Sequence, residues 1–167
     1  MKRIFIVPLL ALCLFATGCM AGNLVLSRNL ALDYPEPELI SHTRTALILK
    51  YEDWVLSHEI VDPENFYPGV DLSGNTESFI RAFFMEDVRP SLAPELREMA
   101  VKQREAFEIS DPDVYRDTLG EFDILGGYSE VHGLGHLYIF DQAAIHHIVI
   151  KGNEARYKEV ANSIKER

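Results

Sequence analysis

At 167 residues the chain has the length of one domain. Its content of 47% hydrophobic and 25% charged residues excludes a disordered tail. A net charge of −10, from 16 basic and 26 acidic side chains, excludes the basic face of a nucleic-acid binder and weakens any electrostatic hold on anionic lipid.

The chain opens with Met1-Lys2-Arg3, a short positive start, and residues 4–15 are then almost wholly apolar. That run is too short to span a bilayer and has the length of a signal-peptide core. Ala16-Thr17-Gly18-Cys19 follows and resembles the lipobox of bacterial lipoproteins, with Ala16 where leucine is commoner. The resemblance implies cleavage before Cys19, a thioether-linked diacylglycerol on its sulfur and an amide-linked acyl chain such as palmitate. More than one chain gives durable anchoring. Loss of Lys2 and Arg3 leaves 14 basic and 26 acidic side chains, a net charge of −12. Met20, which is not Asp, implies the outer membrane facing the periplasm if the cell is Gram-negative. The only other cysteine is Cys13, so the mature body has neither a disulfide framework nor a cysteine zinc site.

Residues 19–43 read as a lipidated tether, with Leu24, Leu26 and Leu30 in at most one short strand before Pro35 and Pro37. Residues 44–167 read as one domain. Thr45–Tyr51 and Trp54–Val61 read as strands with Glu52-Asp53 at the turn. Asn75 is placed to cap a helix carrying Phe79, Ile80, Phe83 and Phe84. A second helix is expected over Leu92–Phe107, then a turn at Asp111-Pro112-Asp113. Strands follow at Phe122–Leu125, Leu137–Phe140 and Ile145–Ile150, the last two joined by a hairpin at residues 141–144. Asn153 is placed to cap a last helix striped by Tyr157, Val160, Ala161 and Ile164. This order predicts an α+β fold: an antiparallel sheet of about five or six strands, two central helices and a C-terminal amphipathic helix. The hairpin followed by the helix reading YKEVANSIK resembles the Mog1/PsbP-like fold over residues 45–165, which implies a non-enzymatic accessory or binding domain.

Chemistry-bearing residues are few. His132 and His136 are spaced H-x₃-H, but two glycines between them argue against a helix. In a turn they converge with one of His146 and His147, which a strand sends to opposite faces. His132, His136 and His147 are the candidate metal ligands, with zinc or copper the ion such a set would take; no cofactor is otherwise expected. The acidic run from Asp111 to Asp123 fails the calcium-loop pattern at Tyr115, Arg116 and Phe122. No Gly-x-Ser-x-Gly elbow or phosphate loop occurs. Phe66 and Tyr67, in a Pro- and Gly-rich loop, form either a recognition tip or a flap on the core.

Three functional readings are open. The leading one is a non-catalytic, lipid-anchored envelope protein binding a protein partner, of accessory, assembly or immunity type, its acidic body suiting a basic partner. The second is a metal- or small-ligand-binding lipoprotein using the hairpin between His132 and His147. The third is an envelope hydrolase, which requires a histidine between a carboxylate and a serine.

Overall fold

Four strand-forming runs from Val114 to Lys151, separated by tight turns, build the centre of the protein. The computed structural model describes residues 21–167 apart from 65, 68 and 73; the lipobox lies outside the described residues. In chain order the strands are β1 (Ala21–Val25), β2 (Leu30–Pro35), β3 (Leu39–His42), β4 (Ala46–Lys50) and β5 (Val55–Ile60). Helices α1 (Thr76–Phe84) and α2 (Pro94–Phe107) follow, then β6 (Val114–Leu119), β7 (Phe122–Ser129), β8 (Leu134–Phe140) and β9 (Ile145–Lys151). Helix α3 (Glu154–Asn162) and β10 (Ile164–Glu166) end the chain.

The class is α+β, as the order of elements predicts, with two antiparallel sheets. The larger has seven strands in the order β3-β4-β5-β9-β8-β7-β6. Two meanders, β3-β4-β5 and β6-β7-β8-β9, thus meet edge to edge at β5 and β9. The turn between β8 and β9 closes with Asp141 N–H on the Ala144 carbonyl at 2.9 Å.

The large sheet is apolar on both faces, which is why its strands read as near-continuous hydrophobic runs. On one face Phe79, Ile80, Phe83 and Phe84 of α1 and Leu96 and Ala100 of α2 pack on Leu125, Tyr138 and Phe140. On the other, Tyr157, Val160 and Ala161 of α3 and Leu30 and Leu32 of β2 pack on Leu56, Leu137, Ile148 and Ile150. Each fully buried side chain of this size stabilises the fold by about 1.5–3 kcal/mol before entropy is charged against it.

The structure departs from the sequence reading at both ends. Residues 21–42, expected as a tether, form three strands. Strand β2 lies between β1 and β10 in the three-stranded sheet, and Leu30, Ala31 and Leu32 are fully buried. Ile164, expected on the last helix, is instead a strand residue opposite Leu32. Strand β6 was not expected either; its Arg116, Asp117 and Thr118 are exposed and hide the alternation. Of the two caps, Asn153 accepts from Arg156 N–H at 3.0 Å. Asn75 makes no side-chain cap to α1; its backbone carbonyl accepts from Phe79 N–H at 2.8 Å.

Candidate functional site

Strand register decides which histidines meet. In β9, His147 stands opposite Glu59 of β5 on one side and Tyr138 of β8 on the other. Tyr138 belongs to the helix-facing core, so His147 faces α1 and α2. His136 lies two residues before Tyr138 and shares that face. His146 turns to the opposite face with His58, two strand positions from Ile60, its partner across the ladder.

On the helix side the groups form a line. His147 Nδ1 lies 3.0 Å from Glu59 Oε1, and His147 Nε2 lies 3.2 Å from His136 Nδ1. The hydrogen bond from His147 holds the Glu59 carboxyl below its usual value. An ionised carboxylate only accepts, so with neutral rings the proton of His147 sits on Nδ1. Its Nε2 then accepts from His136 Nδ1–H, and His136 Nε2 is left as the free lone pair. Phe107 stacks on His136 with centroids 4.2 Å apart, and Tyr138 stacks on His147 at 4.3 Å and 2°. Burial, with His147 alongside, pushes His136 down to about 3. Glu59 also borders a cavity of about 470 Å³ shared with Arg44, Thr45, Asp62 and Phe66.

On the other face His58 Nε2 lies 3.1 Å from His146 Nδ1. Burial pushes His58 down to about 4 and also lowers His146. The remaining nitrogen of His146, Nε2, is buried without a hydrogen-bond partner.

The structure brings two of the three expected ligands together and leaves the third apart. His132 sits in the turn after β7, with Nε2 3.7 Å from Glu108 Oε2, and is 44% exposed. The line from Glu59 to His136 also spends both nitrogens of His147 on hydrogen bonds, which leaves it no lone pair for a metal. No group of three or more His, Cys, Asp or Glu placed to hold a metal occurs among the described residues. The Glu59–His147 pair is the carboxylate–imidazole half of a hydrolytic triad. The position a serine would take is filled by His136.

Phe66 and Tyr67 lie half-buried on the core. Phe66 meets Tyr138 edge-on at 6.5 Å and Tyr67 meets Phe79 edge-on at 5.4 Å. The Tyr67 hydroxyl donates to the Gln103 side-chain carbonyl. They pack as a flap on the core. Two members of the acidic run are occupied: Asp123 pairs with Arg81 at 2.8 Å and Asp117 accepts from the Tyr115 hydroxyl at 3.1 Å. Glu59 was not singled out by sequence; its only signal is its place beside His58 in a half-polar strand, and the partner strand cannot be read from that.

No known protein family, curated protein or solved structure matches the chain. Among the described residues no helix is long and apolar enough to cross a membrane.

Proposed function

We propose that the chain is a lipid-anchored protein of a bacterial envelope, acylated at Cys19, whose domain acts by holding a protein partner. The observation that carries the partner is the β3 edge of the large sheet. Among the described residues strand β3 pairs only with β4, and all four of its residues are exposed. Leu39 and Ile40 are 56% and 55% exposed, and Ile60, on the same sheet face as Ile40, is 54% exposed.

An uncovered edge of this kind is a template for one more strand, and proteins that do not use it blunt it with charge, proline or a bulge. None of Leu39, Ile40, Ser41 and His42 is a fixed charge or a proline. The partner supplies an extended segment that adds to β3 through main-chain hydrogen bonds. Its charge is basic, because a mature body of net −12 repels an acidic one.

The test is cross-linking and capture of the full chain, tagged at its C-terminus, in its native envelope. One stoichiometric partner is expected, lost in Ile40→Lys and recovered less efficiently at high salt. Equal capture by wild type and Ile40→Lys would remove β3 from the reading, and no partner at all would remove the reading itself. Cys19→Ser is expected to move the chain from the membrane to the soluble fraction; unchanged membrane retention would overturn the anchor.

A further inference from the structure

On the far side of the large sheet from the histidine line, three tyrosines surround a second cavity. Tyr115 of β6 stands opposite Gly126 of β7, and Tyr128, two residues on, stands opposite Gly135 of β8. Both tyrosines therefore rise from one face, which Gly126 and Gly135 leave flat beside them. Tyr157 descends from α3 onto these glycines. A Cβ at Gly135 would lie 2.2 Å from Tyr157 Cδ2, and one at Gly126 would lie 2.9 Å from its hydroxyl. The two missing side chains are what seats this ring.

The rings make the walls of a box. Tyr115 stands at 86° to Tyr157 with centroids 6.4 Å apart, and Tyr128 is tilted 35° to it at 5.9 Å. All three line a cavity of about 190 Å³ whose remaining wall includes Asp113, Glu154 and Lys158. Two hydroxyls are tied to groups outside the cavity: Tyr128 donates to the Gly152 carbonyl at 2.8 Å and Tyr115 to Asp117 at 3.1 Å. The third is not. Tyr157 is only 3% exposed, and its hydroxyl is buried with no hydrogen-bond partner. Such a group is ordinarily satisfied, by protein, water or ligand.

We propose that this cavity is a binding site for an alkylated ammonium cation with a short polar tail, of the choline type. The faces of aromatic rings attract cations, and boxes of such rings are how quaternary ammonium groups are recognised. Burial keeps the phenols protonated, raising Tyr115 to about 12, so the walls act as neutral rings. Lys158 is held by Glu154 at 2.7 Å, which leaves Asp113 to set a negative sign at the wall. An anionic ligand is disfavoured by the Asp113 carboxylate. The methyl groups of a trimethylammonium fill the apolar part of the cavity, and the polar tail meets the Glu154 and Lys158 side chains at its wall. This site is independent of the β3 edge, and neither result depends on the other.

The experiment is calorimetric titration of the full chain in maltoside micelles with choline chloride, with its uncharged isostere 3,3-dimethylbutan-1-ol and with glycerophosphocholine. Saturable choline binding is expected, at least about tenfold tighter than that of the isostere. Tyr115→Leu should weaken it about tenfold, and Tyr115→Phe, which keeps the ring, should not. Glycerophosphocholine binding as tightly as choline assigns the site to lipid headgroups; weaker binding assigns it to the free cation. Absence of saturable choline binding, or equal binding of the isostere, overturns the proposal. Should Tyr115→Leu fail to fold, the wild-type comparison of choline with its isostere still decides.

Discussion

His58 and His136 show what burial does to titratable groups in a sheet protein. Each of these two imidazoles takes its proton less readily in the fold than it does unfolded. Above a pH of about 6.5 both states are neutral and the difference vanishes. As pH falls below that value the unfolded chain binds protons that the folded chain refuses, until about 4 for His58 and about 3 for His136. Stability therefore falls with pH across this window, by several kcal/mol in all, since each unit of depression is worth about 1.4 kcal/mol. Glu59 adds a loss at the lower end: its folded value is depressed, so its contribution is present above the ordinary carboxylate range and is lost as pH falls through the folded value. Urea midpoints between pH 7.5 and 4 check this. The midpoint should drop steeply below pH 6.5, and His58→Gln with His136→Gln should flatten the slope. An unchanged slope in the double variant would assign the acid loss to other groups.

At the scale of elements, how far the sequence could be read tracks burial on one face or two. The α1 stripe of Phe79, Ile80, Phe83 and Phe84 was legible because a helix packed on one side separates its faces. The α3 cap at Asn153 was legible because its side chain makes the bond its type favours. Strand β6 was not, because an edge strand with exposed Arg116, Asp117 and Thr118 carries too little alternation. Gly126 and Gly135 are ladder positions of β7 and β8 where a Cβ has no room, at Gly126 against the His136 carbonyl and the Tyr157 hydroxyl and at Gly135 against the Tyr157 ring. Gly135→Ala is therefore expected to lower stability by about 1–3 kcal/mol through overpacking. The same change should displace Tyr157 and weaken choline binding in parallel. A substitution tolerated on both counts would show that the close approach of Tyr157 has no such role.

The whole molecule is two layers of covering on one large sheet, and its N-terminal strands belong to that covering. Strand β2 fills the middle of the small sheet, and Lys165 of β10 pairs with its Asp33. Removal of residues 21–35 would uncover Leu56, Leu137 and Ile148, all of which are fully buried. Such a truncated chain should lose cooperative unfolding, followed by circular dichroism against urea. Retained cooperativity would return these residues to the status of a tether. The sequence alone determined the class of fold, the two central helices, the hairpin at residues 141–144 and the opposed directions of His146 and His147. These follow from local periodicity and from turn and cap chemistry, all of which act within a few residues. It also carried the lipobox expectation, which rests on four adjacent side chains. Only the tertiary structure decided that β5 lies beside β9, that Glu59 rather than His132 completes the histidine row, that β2 meets β10 and that three tyrosines converge over two glycines. Those are pairings across dozens of residues, set by which apolar faces can be buried together, and no spacing within the chain encodes them.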